Sequence, residues 1–323
     1  DNSYKTRVRV LCKGRVEEWN PLTGEAREIP CNIEGECTVL ELDFPPVGSH
    51  LIVIDEEGKP SLSTKEEAKL KEVLKIELLK RWRVKRIDPN AITLDYCKVK
   101  VVAPSLYKET LDLGRVPTWK AHALLKETGM GTKFELEFEF DSEINGQGRE
   151  IFLVVEDPEK YTIEVNGNKI KYKDVGFWVD KSFKKVDIAK YVKKGKNVIK
   201  LKGTVDFNTE IESCYVIGEF AVKNINNEKF ILTDEPEVVE YGDLVHQGYP
   251  FFIGTICLSQ EFELPRKYEK VILEIENMNS IVINVLINGR EAGQIFLRPH
   301  KIDITDFVKQ GRNKVELQLV TSL

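Results

Sequence analysis

The sequence predicts an all-β chain of tandem antiparallel β-sandwiches, with a small partial β-sandwich ahead of them. Three observations carry that prediction. Almost every periodic segment repeats at every second residue, the mark of a strand with one buried face. Turn dipeptides recur at short intervals, among them Asn20-Pro21, Thr23-Gly24, Pro45-Pro46, Glu57-Gly58 and Asp157-Pro158. Finally, "VDIAKYVKKGKNVIKL" at 186–201 is written again as "IDITDFVKQGRNKVEL" at 302–317, so Asp187, Tyr191, Gly195 and Asn197 correspond to Asp303, Phe307, Gly311 and Asn313. Duplication of one sandwich module explains the doubled signature.

Taken in order, residues 1–60 read as the small partial sandwich, opening inside the strand-like "TRVRVLCKGRVEEW". Residues 61–71 read as a linker; "STKEEAKL" holds a capping-box pair, Ser63 and Glu66, sufficient for one helical turn. Residues 72–226 form the longer sandwich. Its first strand, in "VLKIELLKRWRV", aligns Leu74, Ile76, Leu78, Trp82 and Val84 on one face, interrupted by Lys80. "LYKETLDLGRVPTWKAHALL" at 106–125 has no clean period and reads as a long loop with a short helix. "KFELEFEF" then puts Phe134, Leu136, Phe138 and Phe140 on one face and Lys133, Glu135, Glu137 and Glu139 on the other. "YTIEVNG" and "VINVLING" each end in Asn-Gly, the dipeptide that best adopts the positive φ angles of a tight hairpin. The polar "KNINNEKF" and "TDEPE" set off the second sandwich, 230–323. Asp187 and Asp303 each start a short turn and are expected to cap backbone N–H groups.

A length of 323 residues fits two or three domains, and 41% hydrophobic with 31% charged residues is ordinary for a globular protein. A net charge of −5 gives no electrostatic reason to expect nucleic acid, and the Lys-rich 181–202 reads as a solvated strand-and-turn face. No apolar run is long enough for a membrane span. Cys12, Cys31, Cys37, Cys97, Cys214 and Cys257 are scattered without a C-x-x-C pair, which points to neither zinc nor a dense disulfide framework. Buried free thiols of this kind lean towards a cytoplasmic, reducing compartment, although the chain reads as a piece of a longer polypeptide.

The nucleophile-elbow, zincin, P-loop and dinucleotide-binding motifs are all absent. The four histidines, His50, His122, His246 and His300, are far apart and read as structural, while 53 Asp and Glu residues nominate no catalytic pair. Aromatics beside turns are the better lead, because sugar rings stack on them while hydroxyls take Asn, Asp and Arg. "YKDVGFWVDKSF" gathers Tyr172, Phe177 and Trp178 with Asp174 and Asp180; "HQGYPFFIGT" offers His246, Tyr249, Phe251 and Phe252; "FLRPHK" offers Arg298 and His300. The competing reading makes these aromatics the core that closes each sandwich.

"VNGNKI", "GFWVDKSFKKVDIAKYVKKGKNVIKL" and "INGREAGQIFLRPHKIDITDFVKQGRNKVEL" resemble the jelly-roll, galactose-binding-like sugar-binding domains of family 2 glycoside hydrolases and related large bacterial glycosidases. The second copy fits the pattern at Asn288, Gly289, Gly293, Asp303, Ile304, Thr305, Gly311 and Asn313; the first departs from it, with Ala189 where Thr is usual. "EEWNPLTGEAREIP" and "PPVGSHLIVI" look like the small β-domain that follows the barrel in rhamnosidase-like glycosidases. The resemblance implies a C-terminal accessory region whose catalytic barrel is absent, since nothing here reads as alternating βα units. Its expected partners are an oligo- or polysaccharide and the barrel of the same parent chain, with no nucleic acid and no membrane. Rival expectations are a structural scaffold without sugar binding, a self-contained carbohydrate-active enzyme, and a cell-surface adhesion array. Some members bind calcium, but no dense oxygen-ligand loop places it here, so no cofactor is expected beyond an optional structural calcium.

Overall fold

The computed structural model describes residues 2–21, 24–46, 48–60, 74–102, 111–227 and 229–321. Among them the chain is all-β apart from one α-helix, Thr118–Thr128, and short 3-10 turns. It divides into two units. One comprises residues 1–78, 263–279 and 284–313; the other comprises 79–262, 280–283 and 314–323. The stretch 230–323 therefore contributes to both. The linker 61–71, with Ser63 and Glu66, lies outside the described residues.

In the first unit, Tyr4–Val10, Cys37–Phe44 and Asn32–Glu34 form one antiparallel sheet, and Ala26–Glu28, Arg15–Trp19 and Leu51–Asp55 another. The two share a small core of Val16, Cys31, Leu40 and Leu42, with Val8, Phe44, Ile52 and Ile54 packed on it. His50 is fixed between Glu18, whose Oε1 lies 2.5 Å from Nδ1, and the Asp43 carbonyl, 3.1 Å from Nε2.

The second unit holds the larger sandwich. Its eight-stranded sheet runs in the order Leu111–Pro117, Tyr96–Val102, Lys133–Ser142, Gly195–Thr204, Thr162–Val165 and Asn168–Ile170, with Ala221–Ile225 and Lys229–Thr233 attached to Lys133–Ser142. A five-stranded sheet faces it, in the order Phe177–Trp178, Asp180–Asp187, Ile151–Glu156, Cys214–Gly218 and Asn90–Leu94. Phe134, Leu136, Phe138 and Phe140 are buried in the core between the sheets, as the alternation requires. Their neighbours Glu135, Glu137 and Glu139 bind Lys98, Lys196, Lys200 and Lys202 across the solvent face, at 2.6–3.6 Å.

Two local expectations need amending. Only Arg81–Arg86 of "VLKIELLKRWRV" is a strand, and Leu74 and Ile76 are exposed while Trp82 is buried. Upstream, the Gln260 carboxamide occupies both polar groups of the Leu79 residue, at 2.9 and 3.1 Å, in place of a ladder partner. The second amendment concerns 106–125. Residues 103–110 lie outside the described residues, but Leu111–Pro117 is a strand, and its period is broken by a bulge between Asp112 and Arg115 where Gly114 has φ +70°. The short helix expected in this stretch is Thr118–Thr128, eleven residues long. It buries Thr118, Ala121, Leu125 and Thr128, a stripe half made of Thr and so hidden from a count of apolar residues.

The doubled sequence folds into the same device twice. Asn166-Gly167 and Asn288-Gly289 turn with φ of 50°, 81°, 53° and 78°. Ala189–Tyr191 and Thr305–Phe307 each make one 3-10 turn, and Asp187 and Asp303 accept the N–H of Ala189 and Thr305 at 3.0 Å. The capping expectation for both aspartates is therefore met.

Candidate functional site

The five-stranded sheet of the second unit is apolar on both faces. Leu153, Val155, Val186 and Val216 point into the main core. The alternate residues point outward, and the register sets Val154 opposite both Tyr215 and Lys185, and Phe152 opposite Ile217. On this outward side Ala91, Val154 and Ile217 are nonetheless almost fully buried. A belt of half-exposed aromatics covers them: Phe152, Trp178, Phe183, Tyr215 and Phe251. Asn90 helps place Phe251, since its side chain donates to the carbonyls of Phe220 and Gly248, at 3.0 and 2.8 Å, pinning the segment that carries that ring.

Within the belt, Trp178 lies against Tyr215 with centroids 5.1 Å apart and planes tilted by 56°. Phe183 meets Tyr215 edge-on at 5.8 Å, and the Lys185 ammonium sits 5.1 Å above Phe152. Beside Trp178 the chain reverses within one residue, because Trp178 pairs with Asp180. Val179, between them, has φ +63°, a left-handed conformation that costs a side-chain-bearing residue roughly 1–2 kcal/mol. The tip of this hairpin leaves Val175, Phe177 and Val179 exposed, at 39%, 49% and 68%.

Asp174 and Asp180 build the same loop. Asp174 accepts the Gly176 N–H at 2.9 Å, and Asp180 accepts the N–H and hydroxyl of Ser182, both at 2.8 Å. The Ser182 backbone bond, seconded by its hydroxyl, holds the Asp180 carboxyl below the usual range. In each aspartate only Oδ1 is engaged by these turn bonds. Tyr172 is half-buried against the main core, and burial, with Asp174 behind it, raises its phenol. Trp178 is thus the aromatic of this group placed at the outward face.

The other candidates separate. Tyr249 is 4% exposed and edge-packed on Phe252 at 5.8 Å, so its ring has no face left for a sugar. Its burial, chiefly, raises the phenol. His246 is exposed on the Val245–Gln247 turn. Arg298, exposed, and His300, half-buried, belong to the first unit, whereas His246 and Tyr249 belong to the second.

Sequence reasoning passed over Phe152, Phe183 and Tyr215. For Phe152 and Tyr215 the signal was available in "IFLVVE" and "CYVIG", continuous apolar runs rather than alternating ones, which mark strands covered on both faces; Phe183, in the polar "DKSFKKVD", carried no such signal. A carboxylate cluster was equally unmarked. Glu156, Glu210 and Glu212 line a pocket of about 10 Å³, and burial, then Asp157 and the two glutamates, raises the Glu156 carboxyl. That space admits one water at most, not a glycosidic bond. Among the described residues no group of three or more His, Cys, Asp or Glu could hold a metal ion.

No protein-family profile matches the chain. Over 90 residues, 27% of its length, it is 29% identical to a Formosa agariphila protein provisionally named a beta-glucuronidase, of which the match spans 8%. Among solved structures it is similar to a rhamnosidase from Novosphingobium sp. PP1Y, at 13% identity and a TM-score of 0.36, covering 99% of this chain and 18% of that one. A beta-glucuronidase from Ruminococcus gnavus is similar at 13% identity and a TM-score of 0.29, over 78% of this chain and 41% of that one. The chain therefore spans less than half the length of each of these relatives.

Proposed function

We propose that the chain is a non-catalytic region of a glycoside hydrolase that binds an oligo- or polysaccharide, with Trp178 at the centre of the binding face. The observation that carries this reading is the half-exposed belt of Trp178, Tyr215 and Phe183 on the outward side of a sheet whose other side is already core. Aromatics in such a position offer apolar faces to sugar rings, and Asp174 and Asp180, fixed by their turns, offer carboxylate oxygens to hydroxyls. The name carried by the Formosa agariphila relative supports a glycosidase as the parent. The galactose-binding-like assignment belongs to this proposal. A second reading, a scaffold for a catalytic barrel, is favoured by one observation, the exposed apolar tip of Val175, Phe177 and Val179.

The deciding experiment is a titration of the chain with plant oligosaccharides, followed by tryptophan fluorescence in the native protein and in Trp178→Ala. Trp19 and Trp119 are exposed as well, so the variant is needed to assign the signal. Saturable quenching in the micromolar to millimolar range, roughly −8 to −4 kcal/mol, that is lost in Trp178→Ala supports sugar binding. A flat response across rhamnose-, galactose- and glucuronate-containing sugars supports the scaffold.

A further inference from the structure

The small sandwich of the first unit carries an indole that is both exposed and held in place. In the sheet of Ala26–Glu28, Arg15–Trp19 and Leu51–Asp55, the register sorts side chains by face. Val16, Ile52 and Ile54 turn inward to the small core. On the other face one row runs Ala26, Trp19, Leu51, the next runs Glu28, Glu17, Val53, and beyond them Arg15 stands opposite Asp55. Trp19 is 43% exposed and Leu51 49%. Single exposed apolar residues are ordinary. What sets Trp19 apart is the chain of bonds behind it. Its Nε1 donates to Glu17 Oε2 at 3.0 Å, the Arg15 guanidinium lies 3.1 Å from Glu17 Oε1, and the same guanidinium donates to Asp55 Oδ2 at 3.3 Å. The indole N–H and both Glu17 oxygens are thereby engaged within the sheet. Trp119, also exposed, has no hydrogen-bond partner among the described residues.

We propose that Trp19 is a second saccharide platform, on which a neutral sugar ring stacks against the indole. The site goes beyond the Trp178 reading and does not rest on it. Holding an exposed ring in advance removes part of the ordering cost that binding otherwise carries. The neighbours of Trp19 choose the ligand. Ala26 sets no bulk beside the indole, and Leu51 on the other side prolongs the apolar row. Arg15 is offset by Glu17 and Asp55, while Glu28, opposite Glu17, has no ion pair among the described residues and is left to accept hydrogen bonds from hydroxyls. Carboxylates outnumber cations on this face, which turns away a uronate or a sulfated sugar. A protein partner fits it poorly. A stable protein interface takes roughly 800 Å² and about 20–30 residues from each side, whereas the apolar row here is Ala26, Trp19 and Leu51.

The test is fluorine NMR of the full chain labelled with fluorotryptophan, in which the four tryptophans are read apart. The probes are neutral galactose-, glucose- and rhamnose-containing oligosaccharides, with oligogalacturonate as the acidic one. A neutral probe is expected to shift the Trp19 signal saturably, in the native chain and equally in Trp178→Ala, while Trp119 stays still. Oligogalacturonate should bind about two- to fivefold more weakly, the scale of exposed charge interactions. Glu17→Ala frees the indole and should weaken binding by about two- to twelvefold, the ordering cost of one side chain. Glu17→Gln keeps an acceptor for the indole N–H and should bind as the native chain does; urea unfolding of each variant confirms that it is folded. A Trp19 signal unmoved by every neutral probe would overturn the proposal. So would a signal that moves only while Trp178 is intact, although the Trp178 reading would then stand. Trp119 moving in step with Trp19, acidic binding as tight as neutral, or native affinity in Glu17→Ala would each overturn it too. A Trp19 signal that follows protein concentration instead of sugar would mark a face for a second copy of the chain and overturn it as well. Silence at both Trp19 and Trp178 with every probe would sink the sugar-binding reading along with it.

Discussion

The Asn166 side chain donates to the carboxamide oxygen of Asn197 at 2.8 Å, and Asn288 makes the same bond to Asn313 at 2.9 Å. Each acceptor is buried and fully used. Asn197 also accepts the Lys193 N–H and donates to the carbonyls of Lys193 and Gly195, while Asn313 repeats this with Lys309 and Gly311. The donor asparagines tie in the 3-10 turns as well, through the carbonyls of Tyr191 and Phe307. One buried amide thus joins a hairpin turn, a 3-10 turn and the strand after it, which explains why Asn-Gly, Asp and Gly-x-Asn occur together in both copies.

That clasp predicts a specific cost. Asn197→Ala leaves buried donors and acceptors unpaired, each worth roughly 1–3 kcal/mol, so the variant should lower the urea-unfolding free energy by at least that much. Asp187→Ala removes a single exposed cap and should cost less, about 0.5–2 kcal/mol. If Asn197→Ala unfolds like the native protein, the clasp is decorative.

The glutamate ladder gives the pH dependence. Lys98 is the main cause holding the Glu137 and Glu139 carboxyls below their usual range; for Glu135, burial pushes upward but is outweighed by Lys200 and Lys202. A carboxyl depressed on folding stabilises the fold above its unfolded value, near 4.3, and that contribution is lost as pH falls through the depressed value. Urea midpoints should therefore hold from neutrality to about pH 5 and drop below about 4, and Glu137→Gln should flatten the drop. An equal drop in the variant would remove the ladder as its source.

Much of this fold was legible because its signals are local. "KFELEFEF" states its inside and outside residue by residue, and Asn166-Gly167 and Asn288-Gly289 fix their own turns. The bounds of the short helix were obscured because tertiary contacts, not an apolar stripe, bury Thr118 and Thr128. For the site, Phe177 and Trp178 could be named from their position beside a turn, but their surroundings could not. Tyr215 is far from Trp178 in sequence and reaches it only through two intervening strands. Tyr249 marks the other limit. From sequence, Tyr249 in its Gly-Tyr-Pro turn fits either a sugar face or the core that closes the sandwich, and the packing of Phe252 against it favours the core position.

Tyr249 accordingly separates stability from binding. Tyr249→Ala should cost about 3–5 kcal/mol, the range for emptying a buried aromatic site, and Tyr249→Phe under about 1.5 kcal/mol. Neither is expected to change the fluorescence response to sugar in protein that remains folded. A Tyr249→Phe variant with native stability and no sugar response would return Tyr249 to the binding face.

Val179 provides the sharpest test of whether the hairpin tip is shaped for a ligand or merely for the fold. A β-branched residue at φ +63° gives up roughly 1–2 kcal/mol, while glycine there gives up about 0.5–1 kcal/mol of chain entropy. Val179→Gly should therefore be neutral to stabilising, by up to about 1 kcal/mol in urea unfolding. Val179→Asn, which tolerates the left-handed region, should behave similarly while keeping a side chain. A position where the native residue is worse for the fold than its replacements calls for another reason to keep valine. On the present reading that reason is contact: Val179 is 68% exposed and adjoins Trp178. Both variants should then bind saccharide, or the docked barrel, more weakly than the native chain despite being at least as stable. Lower stability in Val179→Gly would show that the tip is relaxed as it stands and that no such trade exists.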